Sequence, residues 1–138
     1  MYLDEESSRA MLAELAALRD RVSGVLGCVL AGVDGLLILN DAGPGIEPHD
    51  VAAMAAATVG LSRQFGRALH QGVFQECTVR STQGHFAVYS VGEWAVLAVR
   101  ATEGLNIARL HLEARAMASR LADALPTNQW YAQTWPPS

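Results

Sequence analysis

The chain has 138 residues, of which 51% are hydrophobic and 17% charged, and its net charge is −4 at pH 7. That is one domain's worth of sequence, apolar enough to bury a core without metal or disulfide staples and too apolar for a disordered state. The acidic balance argues against a nucleic-acid module, and all 10 basic residues are arginine, which excludes the lysine chemistry of a Walker phosphate loop, a Schiff base or a protein kinase.

Asp4, Glu5 and Glu6 open the first predicted helix, over about residues 4–22, where carboxylates offset exposed N–H groups and the helix dipole. Met11, Leu15, Leu18 and Val22 recur at helical spacing, and Ser23-Gly24 stops the helix. This N-terminus is acidic where a secretory signal would be basic. The uncharged runs 22–33 and 51–62 fall short of the ~20 residues that span a bilayer. A cytoplasmic protein with no direct membrane insertion is expected.

Residues 24–40 carry two apolar runs around Asp34-Gly35, a pair suited to a two-residue hairpin turn with positive φ. Both runs are apolar on both faces, which predicts a sheet covered on both sides. A loop from Ala42 leads to Pro48 at the first position of a second helix, over about residues 48–69. Val51, Met54, Ala55, Thr58, Leu61, Phe65 and Leu69 are its expected core stripe. A second stripe of mostly small residues, Ala53, Ala57, Gly60, Gln64 and Ala68, also falls at helical spacing. Two readings stand for it: alanine filler on a solvated face, or a helix–helix interface with a second copy or a partner.

Residues 73–82 alternate, with Val73, Cys77 and Val79 on one side and Glu76, Thr78 and Arg80 on the other. A half-polar strand bearing charges reads as a sheet edge. After a turn at Gln83-Gly84, residues 85–91 and 94–99 are two largely apolar strands, expected at central positions. The last helix, over about residues 105–125, buries Ile107, Leu110, Ala114, Met117, Leu121 and Leu125, and Pro126 ends it. No internal repeat or linker is visible, so residues 1–125 read as a single domain followed by a tail, 126–138. The tail carries Trp130, Tyr131 and Trp135; these aromatics fold back on the domain, dock on another subunit or partner, or stay disordered.

Catalytic and ligand-binding constellations are not found. His49, His70, His85 and His111 lack metal-ligand spacing, Ser62 and Ser90 lack a nucleophile-elbow context, and Gly43-Pro-Gly45 lacks the pattern of a phosphate loop. Cys28 and Cys77 sit in strand-like runs without metal or redox neighbours and are expected as free thiols. No cofactor, metal or enzymatic activity is therefore expected. Arg63, Arg67, Arg80 and Arg100 are candidates for a finger supplied in trans to a transferred phosphate, or are solvated surface arginines.

The element order helix–strand–strand–helix–strand–strand–strand–helix, with Gly27-Cys-Val-Leu-Ala-Gly-Val-Asp-Gly-Leu-Leu-Ile38 and the strand Trp94-Ala-Val-Leu-Ala-Val99, resembles the Roadblock / dynein light chain family over roughly residues 3–125. The resemblance implies an α+β fold, an α/β/α sandwich on a five-stranded antiparallel sheet of order 2-1-5-4-3, with the middle helix on one face and the terminal helices on the other. It places Cys28 and Cys77 on non-adjacent strands. Family members pair through the middle helix and third strand into one ten-stranded sheet. Here that implies a homodimer using Ala53, Ala57, Gly60, Gln64, Phe74, Glu76, Thr78 and Arg80. The resemblance further implies a non-catalytic regulator or scaffold of a Ras-like small GTPase in a bacterial signalling system. Stimulation of GTP hydrolysis by remodelling the GTPase and a sensor-kinase-like protein as a further partner are part of that picture. Trp130, Tyr131 and Trp135 lie outside the resemblance and are candidates for partner docking. A different class of function, a profilin-like or PAS-like small-ligand sensor with Tyr89 and Trp94 lining a pocket, is the alternative.

Overall fold

The computed structural model of the chain describes residues 3–126. In chain order the elements are α1 (Glu5–Arg21), β1 (Val25–Gly32), β2 (Leu37–Asp41), α2 (Pro48–Ala68), β3 (Glu76–Ser81), β4 (Gly84–Val91), β5 (Ala95–Thr102) and α3 (Ile107–Ala124). The strands form one antiparallel sheet of order β2-β1-β5-β4-β3. α1 and α3 cover one face and α2 the other.

Strand alternation divides the core in two. Cys28 and Leu30 of β1, Ala87 and Tyr89 of β4, and Leu97 and Val99 of β5 point toward α1 and α3. Val29, Ala31, Val88, Val96 and Ala98 point toward α2. The first face carries large side chains and meets Met11, Leu15 and Leu18 of α1 and Leu110, Met117 and Leu121 of α3. The second is paved with valine and alanine. β1 and β5, at the centre, are buried on both faces, as their two-sided apolarity requires.

Local chemistry sets the helix ends. Asp4 caps α1, its carboxylate accepting from the Ser7 N–H at 2.7 Å; that bond holds the Asp4 carboxyl below its ordinary value. Pro48 stands in the first turn of α2, behind Glu47 as N-cap. Asn106 caps α3 through the Arg109 N–H. The Asp34-Gly35 hairpin is present but longer than a two-residue turn: residues 33–36 connect the strands, Asp34 accepts from the Leu36 N–H, and Gly35 sits at φ +91°. β5 runs to Thr102 rather than stopping at Val99. Pairing continues it on both sides, Arg100 standing opposite Gly27 and Phe86, while the Arg100 guanidinium donates to the Ala42 carbonyl at 3.0 Å.

The core stripe of α2 differs from the sequence expectation. Its buried residues are Val51, Ala52, Ala55 and Val59, whereas Met54, Leu61, Phe65 and Leu69 are exposed. The valine–alanine sheet face beneath explains this: alanines meeting alanines bring the helix backbone close to the sheet, which leaves no room under it for larger side chains. Those side chains are displaced to the flank.

Cys28 is buried and Cys77 half-buried, both as free thiols on non-adjacent strands. Burial pushes the Cys28 thiol up to about 12, so it stays protonated and unreactive at neutral pH. No helix among the described residues is long and apolar enough to cross a membrane.

Candidate functional site

The outer surface of α2 combines two stripes. Ala53, Ala57, Gly60 and Gln64 are all exposed and lie opposite the buried face. Beside them Met54 is 55% exposed, Leu61 58% and Phe65 53%. At 100° per residue this bulky stripe is rotated roughly a quarter turn from the small one. Between residues 53 and 65 they make an apolar helix surface interrupted only by Gln64, with the exposed charges Asp50 and Arg67 at its two ends. A solvated helix normally presents charge there, and a contiguous apolar patch of this kind marks an interaction surface.

β3 adds an open sheet edge. One side of the strand is paired with β4, from Glu76↔Tyr89 to Ser81↔Gly84, and its other side has no strand neighbour. Cys77 packs with the α2 cluster, so alternation turns Val79 to the same face as α2, where it is 45% exposed. Glu76, Thr78 and Arg80 fall on the α3 face of the sheet. Phe74 precedes the strand, packs against the α2 cluster, and its carbonyl accepts from Ser90 Oγ at 3.1 Å. The eight interface candidates from the sequence divide between the outer surface of α2, which begins beside the β1–β2 hairpin where Ala53 lies near Gly35, and the β3 edge segment. Val79, Met54, Leu61 and Phe65 belong to the surface and are absent from that set.

Glu76 has a partner within its own chain. Its carboxylate accepts two bonds from Arg115 of α3, Nε at 2.7 Å and Nη2 at 2.8 Å. His111 Nδ1 lies 3.5 Å from its Oε2 and 2.8 Å from the Tyr89 hydroxyl. The cluster ties the edge strand to α3. The Arg115 bonds hold the Glu76 carboxyl below its ordinary value, and burial together with the Glu76 charge pushes the Tyr89 hydroxyl up. A carboxyl depressed by folding contributes stability at pH values above its unfolded value of about 4.3, and that contribution is lost as pH falls through the folded value. Glu76→Gln is expected to lower the urea midpoint at neutral pH and to flatten the loss of stability on acidification. Equal acid sensitivity in both proteins would show that the pair does not contribute.

The arginine candidates divide into two groups. Arg63 donates to the Glu93 carbonyl at 2.8 Å and Arg100 to that of Ala42, so both are engaged within the fold. Arg67 and Arg80 are exposed and form no ion pair among the described residues. His85 bonds the Thr102 carbonyl through Nδ1 at 3.0 Å, and His49 and His70 are exposed. Among the described residues no three His, Cys, Asp or Glu side chains are grouped as metal ligands. Tyr89 lines a groove beside α3, and Trp94 is not part of that lining. Trp130, Tyr131 and Trp135 lie outside the described residues.

This arrangement can be set beside known proteins. A Roadblock/LC7 domain from Streptomyces avermitilis is 23% identical, the match covering 89% of this chain and 98% of that one with a TM-score of 0.73. The gliding protein MglB of Thermus thermophilus is 18% identical over 90% of this chain and 94% of its own, with a TM-score of 0.79. MglB of Myxococcus xanthus is 18% identical over 83% and 93%, with a TM-score of 0.74. No curated protein matches the sequence. The sequence model of the Roadblock/LC7 domain matches residues 11–101, well over half the chain. The chain belongs to the Roadblock/LC7 family.

Proposed function

We propose that this protein is a cytoplasmic, non-catalytic homodimer that binds and regulates, or scaffolds, a Ras-like small GTPase in a bacterial signalling system. The observation that carries the reading is the apolar outer surface of α2 next to the unpaired edge of β3. Joining two copies edge to edge would satisfy the free backbone groups of β3, with Thr78 and Arg80 flanking the seam. It would also bring the two α2 helices together on one side of a ten-stranded sheet. Ala53, Ala57 and Gly60 would allow close approach, and Phe65, Leu61 and Val79 would supply apolar area. Phe74 and Glu76 support the strand from behind, through the α2 cluster and through Arg115 respectively. Family membership and the fold shared with MglB support the GTPase as partner, with a sensor-kinase-like protein as a further component of the system. In this reading residues 1–125 are the regulatory domain and residues 126–138 a C-terminal tail.

The test is a pull-down from host lysate with a GTP analogue, GDP or no nucleotide, followed by reconstitution with the purified GTPase. Nucleotide-dependent binding together with faster single-turnover hydrolysis is the expected outcome for a regulator that stimulates hydrolysis. Binding equal in every state, with hydrolysis unchanged, identifies a scaffold. Failure of any Ras-like GTPase to bind the purified protein overturns the reading.

A further inference from the structure

α1 and α3 cover β2, β1, β5 and β4, but neither helix lies over β3, which α3 reaches only through side chains on Glu76. Alongside α3 this leaves a groove of about 320 Å³. Tyr89, Gly92, Ala118 and Ala122 supply its apolar part, Gln75, Ser90 and Ser119 its polar part, and the Glu76–Arg115 pair stands at its rim. The volume is at the bottom of the range for small-molecule sites, which suits a single aromatic group.

We propose that this groove is the docking site of the chain's own C-terminal segment, with Trp130 as the group inserted. The argument rests on reach and chemistry. Ala122 and Ala118 lie three and seven residues before Leu125, about 5 and 10 Å back along the helix at ~1.5 Å per residue. Leu125 has φ −74° and ψ 152°, so the chain leaves α3 in an extended conformation. The five residues 126–130 then span up to about 17 Å, enough to return Trp130 to Ala118. Trp135 also reaches, but it closes a longer loop at greater entropic cost.

Residues 127–138 contain no charged side chain, so nothing in the segment opposes entry into an apolar slot. The rim offers what an indole needs. Arg115 is exposed enough for its guanidinium to stack on the ring face, and the Glu76 carboxylate keeps lone pairs for the indole N–H. Filling the slot also removes a large aromatic side chain from water. The inference goes beyond the GTPase reading and stands independently of it, because it concerns the α3 face rather than α2.

The test labels the full chain with 5-fluorotryptophan and assigns the ¹⁹F resonances with Trp130→Phe and Trp135→Phe. The Trp130 resonance is expected well away from the free-amino-acid position. Ala122→Arg, which fills the slot, and Ser119→Arg, an exposed position on its wall, are each expected to move it to the free position. Trp94, in the folded domain, reports in the same spectrum that each variant is folded. Three results overturn the proposal. They are a Trp130 resonance at the free position in the unaltered chain, a displaced resonance unmoved by Ser119→Arg, and a resonance that shifts on dilution, which would assign the slot to a second copy's tail.

Discussion

Replacing Gly60 with arginine is expected to convert the proposed dimer into a folded monomer. Gly60 lies mid-way along the outer stripe of α2, and a Cβ there would have no atom within 4 Å in the isolated subunit. It is exposed and its φ is not positive, so a longer side chain meets no obstacle within its own chain. Arginine also favours the helical state over glycine by somewhat less than about 1 kcal/mol. The subunit itself should therefore be as stable as before or slightly more so. In the dimer the same guanidinium would lie against Ala57 and Leu61 of a second α2, without water and without a carboxylate. An uncompensated buried charge costs about 3–5 kcal/mol, which at 1.4 kcal/mol per decade raises the dissociation constant at least about a hundredfold. Light scattering should report half the mass while circular dichroism reports unchanged helix. An unchanged mass in a folded variant would remove α2 from the interface.

The position of this surface shows what the sequence can and cannot reveal. Regular periodicity is decisive where the partner surface is bulky: the α1 stripe Met11, Leu15, Leu18 and Val22 is fully buried because α1 packs on β2 and on β1, where Leu30 stands, and against α3, which carries Leu110, Met117 and Leu121. The same rule fails for α2. There the largest apolar residues, Met54, Leu61, Phe65 and Leu69, recur at helical spacing as a core stripe should, yet alanines take the buried positions. Hydrophobicity ranks residues by transfer energy, but which stripe goes inward is decided by the room available, and that depends on strands far away in the chain. The clue within the sequence is that α2 carries more apolar residues than one buried face can hold. The Glu76–Arg115 pair is invisible for a related reason. Its members are 39 residues apart and meet only through the β3–β4 register and the packing of α3 on β4. The order of elements was legible, because caps, turns and strand alternation are local; the sheet order, which sets β1 beside β5, followed only from the family resemblance.

A second glycine is expected to respond in the opposite way to Gly60, and its substitution should be among the most damaging in the chain. Gly27 of β1 stands where β2 ends and Ala42-Gly43 folds back over the sheet. A Cβ at 27 would lie 2.6 Å from the Asp41 carbonyl oxygen, and the carbonyl of Ala42 is nearer still. These are backbone atoms, so no rotamer change relieves the clash. Neither can the segment simply lift away: Arg100, the cross-strand neighbour of Gly27, holds the Ala42 carbonyl at 3.0 Å, and the Ala42 N–H donates to Asn40 at 2.8 Å. Gly27→Ala should therefore cost about 3 kcal/mol, the upper end for overpacking a tight site. That is a large part of the 5–15 kcal/mol typical of a whole domain. Arg100→Ala alone should cost about 1 kcal/mol, the worth of an ordinary hydrogen bond. If the clash is severe because Arg100 pins the carbonyl, the double substitution will cost less than the sum of the two, since the freed segment can retreat from the new methyl group. Urea unfolding of the four proteins in this cycle gives the coupling directly. A Gly27→Ala midpoint equal to the unaltered protein's would mean that residues 41–43 move aside freely and that Arg100 does not anchor them.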